Sequence, residues 1–211
     1  ETSTNRVKSD DRVIGIDLNN KEIVTSENVR YTQVTKSKQY KKILKRKKRL
    51  QRSLSRKYLV SNPENKKRFK LSKNYRKNKS LIIKLDKRLR NLKEHRHNEI
   101  INDILTKPPK IIVLEDLYVK EMASKENRKN KDYKEKLASK NITEASMRKF
   151  RTMLINRINK YETTIVIANQ YYASSKTCSV CGNIQEMKVD KRTYKCEKCG
   201  LILDRDLNAA I

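Results

Sequence analysis

Four cysteines and a few acids hold the chemistry that this sequence can do. Cys178 and Cys181 form one Cys-x-x-Cys pair, Cys196 and Cys199 form a second, and 14 residues separate the two. Each pair can offer two thiolates at ~2.3 Å to a single ion, and two such knuckles complete a tetrahedron. Gly182 and Gly200 follow the second cysteine of each pair, where the tight knuckle turn favours glycine. Lys176, Lys195 and Lys198 stand close in sequence and favour thiolate over thiol. Count and spacing argue against a redox dithiol. The pattern reads as a closed structural Zn2+ site with no open coordination position.

The second set is acidic. Asp17 follows the apolar run Val13–Ile16, Glu115 follows the apolar run Ile111–Leu114, and Asp206 follows the second cysteine pair. Asp17 can be a carboxylate carried by a buried strand or the first turn residue after it, since Asn19 and Asn20 continue as turn signals. Carboxylate oxygens suit Mg2+ or Mn2+. Phosphodiester hydrolysis commonly uses two such ions ~3.5–4 Å apart. Carboxylates converging from the ends of buried strands would make a nuclease or strand-transfer site.

The elements that would position these groups follow from periodicity. Val13–Asp17, Ile23–Thr25 and Val29–Val34 read as three short strands in an antiparallel meander. From Lys36 the pattern becomes helical, with Ile43, Leu44, Leu50, Leu54 and Tyr58 on one face. A polar break at Ser61–Asn65 precedes a second helical pattern that runs from Leu81 to Leu105. The pair reads as an antiparallel hairpin with a narrow apolar seam and a cationic outer face. Pro108-Pro109 ends it. Ile111–Leu114 reads as a central strand, 122–141 as a loop or lid, Ala145–Lys160 as a helix, and Thr164–Ala168 as another buried strand. Tyr171 and Tyr172 are expected to pack on the core. His95 and His97, two apart on a helix, are expected to be structural or surface residues.

Composition restricts the partner. The 211 residues include 53 Lys and Arg against 24 Asp and Glu, a formal net charge of +29. A polyanion, most simply DNA or RNA, offsets that excess. About half of the basic residues lie in the helical hairpin, which has few acids to neutralise them at helical spacing. Lys45, Arg46, Lys48, Arg49, Arg52, Arg56, Arg76 and Lys77 are the candidate backbone-binding residues there, with Lys176 and Arg205 near the metal sites. No apolar run reaches the ~20 residues of a membrane span. Cysteines confined to metal-type pairs fit a reducing interior, so a cytoplasmic, nucleoid-associated location is expected.

Four stretches taken together resemble a known family: Gly15-Ile16-Asp17-Leu18, Val113-Leu114-Glu115-Asp116-Leu117, Ser174-Ser175-Lys176-Thr177-Cys178-Ser179-x-Cys181-Gly182, and Asp204-Arg205-Asp206-x-Asn208-Ala209-Ala210. They resemble the RuvC-like nuclease half of the TnpB (OrfB) insertion-sequence proteins, long labelled transposases and related to type V CRISPR effectors. The resemblance implies an α/β fold, an RNase H-like (RuvC) mixed sheet with a long helical-hairpin insertion and a zinc-ribbon insertion. It implies RNA-guided, Mg2+-dependent cleavage of DNA, with guide RNA and DNA as partners. It makes Asp17, Glu115 and Asp206 the catalytic metal ligands, and Arg205 a supporting or phosphate-contacting residue.

On this reading residues 1–35 are the first RuvC-like segment, 36–107 the basic hairpin, 108–173 the second segment with a lid loop at 120–143, 174–203 the zinc ribbon and 204–211 the last segment. Asn19 stands where the family usually has Gly, and Ala173 where it tends to have Pro. The chain starts just before the first strand and stops soon after the last motif, so it reads as a fragment. A basic zinc-ribbon module that binds nucleic acid without cutting it, and a strand-transfer transposase, are the competing readings. The ribbon is expected to hold Asp206, seven residues past Cys199, in place.

Overall fold

The computed structural model describes residues 6–19, 21–62, 71–115, 146–169, 172–187 and 191–211. The expected lid loop and Tyr171 lie outside the described residues. The chain divides into two compact units, one formed by residues 1–33 and 97–211 and the other by residues 34–96. Among the described residues, no helix is long and apolar enough to cross a membrane.

The first unit is built on a five-stranded mixed sheet in the order β3-β2-β1-β4-β5, with β1 Val13–Leu18, β2 Glu22–Thr25, β3 Arg30–Thr32, β4 Ile111–Glu115 and β5 Thr164–Ala168. The first three strands pair antiparallel, as the meander reading expects, whereas β4 is parallel to both β1 and β5. Alternation sorts the two faces. Ile14, Ile16 and Leu18 of β1 and Ile112 and Leu114 of β4 are buried on one of them. There they pack with Ile100, Ile101, Ile104 and Leu105 and with Phe150, Leu154 and Ile158 of the helix Met147–Ile158. Fully burying such a side chain is worth about 1.5–3 kcal/mol, so this cluster is the main source of stability of the unit. His97 belongs to the same interior, edge-on to Phe150 at 5.4 Å, and His95 is exposed.

Two expectations need correcting. Thr164–Ala168 is the edge of the described sheet, not a buried strand, and Val166 and Ile167 are exposed. A four-residue apolar run cannot by itself distinguish a central strand from an edge. Tyr172, expected in the core, is exposed because it lies past the end of that edge strand, in the chain leading to the ribbon.

α3 covers Met147–Ile158, and the short C-terminal helix α4 covers Arg205–Ala210. Before α4 the chain makes a two-stranded antiparallel ribbon, β6 Thr193–Lys195 and β7 Ile202–Asp204.

The second unit contains α1 Lys38–Ser61 and most of α2 Lys73–Ile104. Ser37 caps α1 by accepting from the Tyr40 N–H. The seam is narrow, as expected: Tyr40, Ile43 and Leu89 are buried, with Leu44, Leu85 and Leu92 around them. Lys47 pairs with Asp86 at 2.5 Å. α1 holds eleven Lys and Arg and no acid. Lys45, Arg46, Lys48, Arg49, Arg52 and Arg56 on α1, and Arg76 and Lys77 on α2, are all exposed. α2 starts eight residues before Leu81, the first apolar position of its pattern, and its turns from His97 onward belong to the sheet unit.

Candidate functional site

The thiol cluster is local. The four Sγ atoms lie within 4.8 Å of one another. Cys178–Cys199 and Cys181–Cys196 are each 3.6 Å apart, without a disulfide. A tetrahedron of Zn–S bonds has edges of about 3.8 Å, so the donor set fits a single zinc ion. Gly182 and Gly200 take left-handed φ of 68° and 74°, the conformation that the knuckle turns require. Their N–H groups close those turns onto the Cys178 and Cys196 carbonyls at 3.0 and 3.1 Å.

Backbone N–H groups of Cys181 and Val180 lower the Cys178 thiol, and those of Cys199 and Lys198 bring Cys196 down to about 6. Cys199 feels the Leu201 N–H in the same direction. Burial and its three thiol neighbours outweigh that and push it up to about 12. Without a cation the cluster cannot ionise fully, and a divalent metal removes that conflict.

The acids come from three remote segments. Asp17 lies within β1, so it is a strand residue and not the turn residue that follows. Gly15 and Asp17 occupy the face of β1 opposite the main core, as alternation requires. Ile16 pairs with Leu114, so the next rung of the parallel ladder sets Asp17 beside Glu115. Asp206 comes from the first turn of α4 and is buried. All three line one pocket of about 310 Å³, together with Asn19, Ser174, Lys176 and Arg205.

Burial raises the Asp17 carboxyl to about 7, with the charges of Glu115 and Asp206 adding to the effect. The Asn19 amide, 3.5 Å from Asp17 Oδ2, and Arg205 act the other way. The Asn at position 19 thus gives Asp17 a hydrogen-bond donor that glycine would lack. The Ser174 hydroxyl donates to Glu115 Oε1. Asp206 pairs with Arg192 at 3.2 Å and Arg205 at 3.3 Å. Among the described residues the thiols form the metal-type cluster drawn within 4.8 Å. The carboxylates share a pocket without closing to that distance, because like charges repel and each has another partner.

Asp204 and Asp206 are separated by their surroundings. The Asp204 carboxylate caps α4, accepting from the N–H groups of Asp206 and Leu207 at 3.0 and 3.1 Å. It also pairs with Arg30 at 2.9 Å. Burial alone would raise Asp204, but Arg30 and these N–H groups hold its carboxyl below the usual range. It is occupied in structure, whereas Asp206 faces the pocket. Of the remaining candidates, Lys176 pairs with Glu186 at 2.8 Å and Arg205 lies against Asp206.

Four residues did not emerge from sequence reasoning as parts of the site. A Cβ on Gly15 would lie 1.8 Å from the Ala210 carbonyl oxygen, so bare backbone is what lets α4 reach β1. A lone glycine inside a strand is a recognised signal of such close approach. Arg192, Ser174 and Asn208 act through contacts that only the folded chain creates.

Residues 148–211 match the family model described as Cas12f1-like, TNB domain. A TnpB-like protein of Acanthamoeba polyphaga mimivirus is 35% identical over 130 residues, which are 61% of this chain and 24% of that protein. Two further mimivirus TnpB-like proteins match to the same extent. The chain spans about a quarter of the length of these relatives. The solved Cas12f1–sgRNA–target DNA complex superposes with a TM-score of 0.54 at 20% identity, covering 93% of this chain and 48% of that one. The chain therefore shares homology with TnpB-like proteins. Its mixed sheet with helical insertions and a metal-type cysteine cluster is consistent with an RNase H-like fold.

Proposed function

We propose that this chain is the nuclease portion of a TnpB-type protein, a transposon-encoded, metal-dependent DNA endonuclease that is RNA-guided in its full-length form. The observation that carries the reading is the single pocket into which Asp17, Glu115 and Asp206 converge from β1, β4 and α4. Hard carboxylate oxygens suit Mg2+ or Mn2+. Burial, with the charges of Glu115 and Asp206 adding to it, raises the Asp17 carboxyl to about 7, a cost that a bound cation would offset. Asp17, Glu115 and Asp206 would hold the ions. Bound there, such ions supply an activated water and neutralise charge at the phosphodiester.

The chain's own residues prepare the site. β1 and β4 set two carboxylates side by side on adjacent strands. Ser174 orients Glu115, and Arg205 and Arg192 pair with the buried Asp206. Arg205 and Lys176 line the same pocket, where a phosphate would meet their charge. The exposed bases of α1 and α2 are the surface for guide RNA or DNA backbone, contacts that position a strand without reading it. Zn2+ in the four-cysteine site is structural. The solved Cas12f1 structure is a complex with sgRNA and target DNA, and the mimivirus relatives are named TnpB-like; both agree with this assignment.

The test is cleavage of end-labelled single-stranded DNA in Mg2+ against EDTA, by the chain as given and by Asp206→Ala. The expected result is Mg2+-dependent cutting that falls about a thousandfold or more in the variant, while DNA binding changes by about twofold or less. Binding without cutting in either protein would favour the non-catalytic module, and joined products would favour strand transfer.

A further inference from the structure

Asn208 is 3% exposed, and both ends of its amide cross from α4 to the ribbon. Its Oδ1 accepts from the Ser179 N–H at 3.0 Å, and its Nδ2 donates to the Thr177 carbonyl at 2.7 Å. One partner is a fixed donor and the other a fixed acceptor, so a single amide orientation satisfies both. Thr177 and Ser179 flank Cys178, whose sulfur belongs to the metal-type cluster. The link therefore runs through space to the first knuckle. It is separate from the six residues that connect Cys199 to Asp206 along the chain.

α4 has six residues, too few to stand alone as a helix. Its position depends on what grips it. Asp204 caps its start, and Leu207 and Ala210 pack on Val24. Gly15 admits the Ala210 carbonyl, and Asn208 ties the helix to the ribbon. Asp206 is two residues from Asn208 on the same short helix, so a change at one end of the tie moves the other.

We propose that Asn208 is a positioning residue through which occupancy of the four-cysteine site sets the place of Asp206, a coupling that rests on the reading of Asp206 as a ligand of the catalytic metal. With zinc bound, the knuckle presents the Ser179 N–H and the Thr177 carbonyl in fixed directions. Without it the knuckle relaxes, and a buried amide losing both partners is strongly unfavourable, so α4 moves with the loop. Equilibrium coupling is reciprocal, so a metal held by Asp206 also tightens zinc binding by the same factor.

The test uses Mn2+ as the probe and the whole chain. Hydrogen exchange is followed for segment 205–211 and for β1 and β4, in wild type with zinc, in wild type after chelation, and in zinc-loaded Asn208→Ala. Chelated wild type and the variant should each lose protection at 205–211 while β1 and β4 keep theirs. Mn2+ should bind about tenfold more weakly to the zinc-loaded variant than to wild type. Stripping zinc should weaken the wild type by a similar factor and leave the variant unchanged.

Protection retained at 205–211 after chelation would overturn the proposal, as would full Mn2+ affinity in zinc-loaded Asn208→Ala. If the variant also loses protection in β1 and β4 it has unfolded, and chelated wild type decides alone. Mn2+ binding indifferent to Asp206→Ala would overturn the metal reading of Asp206, and exchange at 205–211 would still judge the Asn208 tie by itself.

Discussion

The two candidate metal sites of the sheet unit solve opposite problems. The thiols come from two short knuckles, cannot all ionise until a cation arrives, and so can gather within 4.8 Å without one. The carboxylates come from β1, β4 and α4, and like charges brought into one pocket repel. The fold brings them to one pocket but occupies each with another partner: Asn19 for Asp17, Ser174 for Glu115, and two arginines for Asp206. A soft, closed site can assemble on local sequence, whereas a hard, reactive one has to be imposed by the surrounding structure.

The largest effect expected is on the thiol side. Cys196→Ser leaves three thiolates and should abolish tight zinc binding, which in ribbons of this kind is itself folding energy, on the order of 10 kcal/mol for the ribbon. Zinc content should fall from one to near zero per chain, and a low-temperature transition of the ribbon should separate from that of the sheet. A single unchanged transition would mean that the ribbon does not depend on its metal.

Gly15→Ala should do the reverse. The new methyl meets a backbone carbonyl that has no flexible end to yield, so α4 must shift. The expected cost is about 2–3 kcal/mol, read as a drop in melting temperature, with Mg2+-dependent cleavage lost and zinc content unaltered. Intact cleavage would show that α4 is not held where the structure has it.

Asp17→Asn gives the smallest change and the most informative sign. The folded-state value of this carboxyl, about 7, lies above its ordinary 3.8. Its ionisation therefore costs the metal-free fold nothing below pH about 4, and the cost grows until pH about 7. The substitution should abolish cleavage yet stabilise the metal-free chain above pH 7, with the gain vanishing near pH 4. Thermal melts across that range in EDTA check it. Destabilisation at pH 8 would mean that the acid pocket is not electrostatically strained. No comparable gain is expected from removing a thiol.

The strands, the basic hairpin and the zinc knuckles were legible in the sequence because each is written in neighbouring residues. The runs Val13–Ile16 and Ile111–Leu114 announce β1 and β4, and the spacing of Cys178, Cys181, Cys196 and Cys199 announces the ribbon. Periodicity marked α2 only from Leu81, since the polar stretch before it has no apolar face to display. The edge position of β5 was hidden because pairing order is a property of the whole sheet. Arg192 and Ser174 were hidden for the same reason: each meets its carboxylate across a sequence gap of 14 or 59 residues. Gly15 was visible as an odd residue in a strand, although its partner, the last turn of α4, was not.

The parallel pairing of β1 with β4 has one further consequence. With Ile16 opposite Leu114, Asp17 and Glu115 follow directly on neighbouring strands, whose spacing peptide hydrogen bonds set at about 4.8 Å. That interval is a ruler made of main chain. No side-chain substitution can lengthen or shorten it, so any adjustment of this pocket to a different ion or substrate has to come through the third carboxylate and the short helix that carries it.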